Sequence, residues 1–295
     1  MNLLTRRRFA QPLAAALGLG PLFTRLFAGP PGTRPFPIGA CDWSIGKTAD
    51  VTGMDLAAEL GLDGLQVSPG DAADDIKLRR PEERQKYLEA RDRLGIEIAS
   101  LGFGALNNVP FKSDPRTEGW VDGVIEACHA LGRSVILLAF FGRNDLLGDA
   151  AGRAETVRKL RRLAPKAEKL GVTLGLETWL PAAELRAILD EVASPAVRVY
   201  YDVANAQQRG YDVPAEIREL GGKNLICEFH MKENGALLGQ GKVDFPAVRR
   251  AMDDIGYRGW VQIEGAIPAG RSARESYPSN RDFLRKLLAV APGAP

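Results

Sequence analysis

Histidine is the scarcest chemistry-bearing residue here: 295 residues contain two, His129 and His230. Any site needing three or more imidazoles is thereby excluded. Cysteine is nearly as rare. Cys41, Cys128 and Cys227 are odd in number and far apart, which is neither a disulfide framework nor a zinc-ribbon spacing. They read as buried free thiols. No sign of charge dominates: 39 Lys and Arg face 37 Asp and Glu, a net charge of +2. Arg6, Arg7 and Arg8 account for that excess, and the remainder is close to neutral, so no electrostatic footprint for nucleic acid exists. No G-x-G-x-x-G follows the first strand, which argues against an open doubly wound dinucleotide fold. What is present is an ordinary globular composition, 45% hydrophobic and 26% charged. The core can be large without disulfides or a structural metal, and α/β barrels run to ~250 residues as one domain.

The beginning of the chain has a different character. Thr5-Arg6-Arg7-Arg8-Phe9 precedes a modest apolar run from Leu13 to Phe23. A charged segment before a short apolar one is signal-peptide architecture, and paired arginines followed by Phe resemble a twin-arginine export signal. The run is too short and too Gly-rich for a membrane span of ~20 residues. Around Leu26-Phe27-Ala28-Gly29 there is no clean A-x-A site, so cleavage is expected near Ala28, or retention as an anchor. The expected organisation is a signal over 1–29, a linker over 30–37, a barrel over 38–290 and a tail over 291–295. Folded export to the periplasm follows from it.

Beyond residue 38 short apolar runs alternate with helical segments. Strands are expected at 39–43, 64–67, 96–101, 135–140, 172–177, 197–202, 225–230 and 260–264. The helices between and after them span 54–60, 81–94, 118–131, 153–170, 182–192, 214–220, 245–255 and 279–290. Several end on Gly (Gly61, Gly95, Gly132, Gly171, Gly221, Gly256), and Pro81 opens one, which is ordinary helix punctuation. Eight βα units predict a parallel (β/α)8 TIM barrel forming a single α/β domain.

Such barrels carry their chemistry where strands end. The fifth strand ends Leu174-Gly175-Leu176-Glu177, the sixth Val199-Tyr200-Tyr201-Asp202, the seventh Cys227-Glu228-Phe229-His230, and the eighth Val261-Gln262-Ile263-Glu264. Successive candidates lie about one βα unit apart, so four neighbouring strands offer one group each to the same mouth. Three carboxylates and an imidazole would repel one another without a cation. Hard oxygens with one nitrogen suit Mn²⁺, Mg²⁺ or Co²⁺, and also admit Zn²⁺ or Fe²⁺.

The Glu-Asp-His-Glu order resembles the xylose-isomerase-like sugar isomerase and epimerase superfamily. Also similar are His230-Met231-Lys232-Glu233-Asn234, then Leu238-Gly239-Gln240-Gly241-Lys242-Val243-Asp244-Phe245, and Gly256-Tyr257-Arg258-Gly259-Trp260 through Glu264. The resemblance covers about residues 38–288 and is specific in the second half. It implies that Glu177, Asp202, His230 and Glu264 ligate one divalent metal, with Glu177 and Glu264 as the catalytic pair. The resemblance further implies a small carbohydrate as substrate and a homodimer. Endonuclease-like DNA repair, which shares the superfamily, needs several more histidines than this chain has.

A metal flanked by two glutamates suits proton abstraction next to a carbonyl through a stabilised enediolate. One glutamate removes the carbon proton and the other returns it, as in an epimerase or isomerase. The same base could drive β-elimination, giving a lyase or hydratase on 3-keto-glycosides or inosose-like substrates, a class that an exported enzyme would meet. A non-catalytic sugar-binding barrel is the third reading. Asn205 stands where ketose 3-epimerases carry His three residues after the metal Asp, and an amide cannot shuttle a proton. Lys232 is placed to meet an oxygen or an anionic group. Substrate contacts are further expected from Asn205, Trp43, Trp179, Asn107 and Lys112, with Asp42 and Asn108 beside them. His129 sits on a helix and reads as structural. Arg198 and Glu228 share parity with Asp202 and His230, so they are expected to pair inside the barrel.

Overall fold

Short buried strands and Gly-ended helices leave one economical arrangement, a sheet closed on itself inside a ring of helices. The computed structural model describes residues 36–289. In chain order it contains β1 (Ile38–Cys41), α1 (Thr52–Glu59), β2 (Gly64–Val67), α2 (Pro81–Leu94), β3 (Glu97–Phe103), α3 (Arg116–Ala130), β4 (Val135–Phe140), α4 (Ala150–Leu170), β5 (Thr173–Thr178) and α5 (Ala182–Val192). There follow β6 (Val197–Asp202), α6 (Val203–Gln208), α7 (Val213–Gly221), β7 (Ile226–Glu233), α8 (Phe245–Asp254), β8 (Val261–Gly265) and α9 (Ala273–Leu287). The eight strands form a closed barrel in sequence order, each paired parallel to the next. Closure is the β1–β8 pairing of Ile38 with Val261 and Ala40 with Ile263.

Alternating strand residues separate two apolar layers. Ile136 and Leu138 join the large layer between strands and helices. Leu137, Ala139 and Tyr200 form a small cluster of their own, packed against Val135, Phe141 and Cys227. Among the described residues no helix is long and apolar enough to cross a membrane.

Differences from the expected elements have local causes. The last helix begins at Ala273 rather than after Pro278, because Ser272 and Glu275 form a reciprocal capping box. Strand β7 runs three residues past His230, since Lys232 and Glu233 pair with Glu264 and Gly265 of β8. Helix α6 was not expected: Asp202 caps it, its Oδ1 accepting from Ala204 N and Asn205 N at 2.8 and 2.9 Å. Phe36 is buried, and Pro37 O accepts from Val261 N at 3.0 Å, so the last two residues assigned to the linker pack with the barrel. The expected signal, the linker up to residue 35 and the tail lie outside the described residues.

Arg198 and Glu228 do not pair. Val199 aligns with Ile226 but Tyr200 aligns with Glu228, which leaves Cys227 as an extra residue in β7. The bulge turns Cys227 inward beside Glu228, where a Cβ on Gly175 would lie 2.7 Å from its Sγ, and it sets Glu228 level with Tyr200, two residues further along β6 than Arg198. Arg198 Nε instead donates to Pro195 O at 3.2 Å. Its side chain lines a cavity of about 290 Å³ at the N-terminal end of the barrel, with Cys227, Tyr257 and Arg258. Glu228 is buried without a cation. Its Oε1 accepts from Gln262 Nε2 (2.6 Å), Ser100 Oγ (3.0 Å) and Tyr200 OH (3.2 Å). Burial pushes its carboxyl up to about 7, against the pull of those donors.

Candidate metal centre

Strands β5 to β8 deliver Glu177, Asp202, His230 and Glu264 to one point, with one donor atom from each lying within 4.8 Å of all the others. His230 Nδ1 is 2.9 Å from Glu177 Oε1, 3.4 Å from Glu264 Oε2 and 3.9 Å from Asp202 Oδ2. Glu177, Asp202 and His230 are buried, and Glu264 is half-buried at the rim.

Lys232 Nζ crosses the cluster, donating to Glu264 Oε2 at 2.8 Å and Asn205 Oδ1 at 3.3 Å, and lying 3.3 Å from Asp202 Oδ2. Trp43 Nε1 donates to Glu264 Oε1 at 2.8 Å. The far edge of its ring abuts β3, where a Cβ on Gly102 would come 2.5 Å from Cη2 and Cζ3. Glycine there is what admits the indole.

The electrostatics follow from this crowding. Burial pushes Asp202 up to about 7; Lys232 pulls it down, while Glu264 and Glu177 add to the rise. Burial would raise Glu264 too, but His230 and Lys232 outweigh it and hold the carboxyl down at about 2. His230 is driven well above the ordinary histidine range: burial opposes its charge, and Cys41, Glu177 and Glu264 overcome that opposition. Protons and the Lys232 ammonium thus partly neutralise a cluster of three carboxylates.

These residues fit a divalent cation. Asp202 spends Oδ1 on the cap of α6, whereas its Oδ2 is buried and accepts no hydrogen bond. A buried carboxylate oxygen left so, beside two more carboxylates and an imidazole nitrogen, is a ligand set for a hard or borderline ion. Cys41, His230 and Glu264 also lie close enough to share an ion. Burial pushes the Cys41 thiol up to about 12, which disfavours the thiolate that a metal would need.

The remaining sequence-derived candidates lie at different distances from the cluster. Trp43, Asn205 and Lys232 touch the cluster or one another, as described. Trp179 lies beside it: its ring packs on Phe141 (5.2 Å between centroids) and lines a small side pocket with Asp202, Asn205 and Arg209. Asn107 and Lys112 brace loops. Asn107 Oδ1 accepts from Phe141 N at 2.9 Å. Lys112 Nζ donates to Asp145 O at 2.6 Å and pairs with Asp149 Oδ2 at 2.9 Å. Asp42 is buried and supports the loop after β1, accepting from Ser68 N (2.7 Å), Ser68 Oγ (2.6 Å) and Ala49 N (2.9 Å). His129 is remote, its Nδ1 2.9 Å from Leu170 O. Sequence reasoning missed Gln66, Ser100 and Tyr200 beneath the cluster. The available signal was a lone amide in the otherwise apolar β2 and a tyrosine two residues before Asp202.

Comparison with known proteins accords with this geometry. Residues 54–287 match a family described as xylose isomerase-like TIM barrel. The 2-epi-5-epi-valiolone 7-phosphate 2-epimerase of Actinoplanes sp. is 26% identical over 262 residues, 81% of this chain and 96% of that one. The crystal structure of 3-keto-D-glucoside 4-epimerase from E. coli has a TM-score of 0.71 at 17% identity, covering 85% of this chain and 99% of that one. D-psicose 3-epimerase from Clostridium cellulolyticum H10, solved with D-tagatose, has a TM-score of 0.69 at 20% identity, covering 86% of this chain and 100% of that one. With residues 54–287, most of this chain, matching the family and the barrel closed around the cluster, the chain belongs to the xylose isomerase-like TIM barrel family.

Proposed function

We propose that this protein is a divalent-metal-dependent epimerase or isomerase of a sugar or keto-sugar, working by proton transfer at the carbon next to a carbonyl. The observation that carries the reading is the pair Glu177 and Glu264, set on β5 and β8 around Asp202 and His230 in a buried, acid-rich mouth. The epimerase activities of the Actinoplanes and Clostridium relatives support it.

A divalent cation held by Glu177, Asp202, His230 and Glu264 would supply Lewis-acid polarisation of a substrate oxygen. This chain's own residues do the rest. Trp43 and Lys232 each occupy one oxygen of Glu264, which keeps it ionised and aimed. Glu264 and Glu177 are the proton carriers: one takes the proton from carbon, and the other returns it to the opposite face or the adjacent carbon. The Lys232 ammonium donates to a developing oxyanion. Asn205, paired with Lys232, orients a hydroxyl without moving a proton. Trp43 and Trp179 offer aromatic faces to the sugar.

The test is deuterium exchange. Purified 36–295 loaded with Mn²⁺ is offered ketoses and 3-keto-glucosides in D₂O and followed by NMR and mass. Uptake at the α-carbon is expected, falling about 10²- to 10⁴-fold in Glu264→Gln. A product lighter by water or by an aglycone would assign elimination instead, and activity untouched by the substitution would overturn the reading. Periplasmic export of the folded chain belongs to the same proposal, on the strength of Thr5-Arg6-Arg7-Arg8-Phe9. Fractionating cells that express the full chain checks it, since protein found only in the cytoplasm would remove it.

A further inference from the structure

We infer that Gln66 and Glu228 are positioning residues that fix the tautomer of His230, so that Nδ1 is its ligating nitrogen and Nε2 carries the proton. The inference rests on the metal reading above and deepens it.

The geometry is a one-directional chain of hydrogen bonds beneath the cluster. His230 Nδ1 faces the three carboxylates, whereas Nε2 lies 2.9 Å from Gln66 Oε1. Two hydroxyls flank the other end of the same amide. Gln66 Nε2 donates to Ser100 Oγ and to Tyr200 OH, both at 3.0 Å. Those hydroxyls then donate to Glu228 Oε1. Gln66, Ser100, Tyr200, Glu228 and His230 are all buried, so water does not substitute for a missing partner.

Counting donors sets the polarity. Glu228 Oε1 collects both hydroxyl protons, so Ser100 and Tyr200 have only lone pairs left for Gln66. The amide therefore turns its NH₂ toward them and its carbonyl oxygen toward His230. The flipped amide would draw the hydroxyl protons to itself and strip Glu228 of two donors. A carbonyl oxygen 2.9 Å from Nε2 requires a proton on that nitrogen. Cys41 Sγ lies 3.2 Å from the same Nε2 and 3.3 Å from Gln66 Oε1; donating its proton to Gln66, it leaves a sulfur lone pair, not a second proton, facing Nε2–H. The Tyr200 ring packs against the imidazole at 4.6 Å between centroids and limits its rotation. With a cation bound among Asp202, Glu177 and Glu264, Nδ1 would be the nitrogen that turns a lone pair toward it. Outer partners of this kind fix a ligating histidine's orientation and raise its basicity.

The scarcity of histidine makes the test direct. Selective ¹⁵N labelling yields two imidazoles, His129 and His230. Full-length protein is loaded with Zn²⁺, a diamagnetic probe, and long-range ¹H–¹⁵N correlation reads the two nitrogens of each ring. The expected spectrum shows His230 protonated at Nε2 and metal-bound at Nδ1. Gln66→Leu is expected to weaken Zn²⁺ binding about 10- to 100-fold in chelator competition and to lose the Nε2–H signature. Gln66→Glu, which retains an acceptor oxygen at that place, is expected to restore both. Glu228→Leu, which frees the hydroxyl protons, is expected to lose the signature while Gln66 is intact. A His230 bound through Nε2, unchanged Zn²⁺ affinity in Gln66→Leu, or a Gln66→Glu protein as weak as Gln66→Leu would each overturn the inference and leave the metal reading standing. A wild-type protein that takes up no Zn²⁺ overturns both.

Discussion

Strands β1–β4 and β5–β8 end at the same rim of the barrel, yet they contribute different things to it. Each of β5–β8 contributes one group of the acid-rich cluster. The first four end in residues that hold something else in place. Gln66 of β2 faces the far side of His230, and Asp42 after β1 gathers Ser68 and Ala49 around the loop that carries Trp43. After β3, Asn107 and Lys112 stitch their loop to the one after β4. Four charged groups brought together are costly to bury, and a second set of groups holds them there. Directly against the cluster that second set offers an amide and an indole, Gln66 and Trp43, while the ionisable Asp42 and Lys112 stand further back in the loops.

The comparison can be broken at two depths. Asp42 lies deeper. Burial pushes its carboxyl up to about 6 from an ordinary 3.8, against the hydrogen bonds from Ser68 and Ala49. Between those two values the folded protein holds a proton that the unfolded chain has released. Its contribution is therefore fully present below about pH 4, is lost as pH rises toward 6, and is flat above that. The stability difference between wild type and Asp42→Asn, which stays neutral, should fall by on the order of 3 kcal/mol across that window. Urea denaturation at several pH values reads it, and a pH-independent difference would mean that Asp42 titrates as an ordinary exposed carboxyl.

The smaller effect belongs to Lys112, a partly exposed brace away from the cluster. Lys112→Ala should cost roughly 0.2–1 kcal/mol in the same denaturation assay, the range of a partly exposed ion pair. Mn²⁺ affinity measured alongside should stay as in wild type. Loss of metal with Lys112 would show that the first-half loops reach the cluster directly, and would dissolve the distinction between the two halves.

Much of the fold was legible because its signals are local. Strands at 64–67, 135–140 and 197–202 and helices at 81–94 and 182–192 stand where apolar runs and Gly or Pro punctuation place them. The clustering of Glu177, Asp202, His230 and Glu264 was legible for a related reason. A carboxylate or imidazole ending each of four successive strands is a pattern along the chain, and barrel topology converts it into convergence. The Arg198–Glu228 pair failed because parity gives the face of a strand and not the height along it: Glu228 lies level with Tyr200, and Arg198 two residues nearer the start of β6. Helix α6 was hidden because Asp202 reads as the end of a strand and is also a cap.

The sequence alone therefore determined the kinds of residue that reach the rim and the order in which they arrive. Hydrophobic period, helix punctuation and βα spacing all act within about one repeat of chain. Only the tertiary structure decided what lies behind each of those residues. Gln66, Ser100, Tyr200 and Glu228 come from four different strands and meet only once the barrel closes. The direction of the hydrogen bonds reaching His230 is set there, by buried donors and acceptors with no water to exchange for.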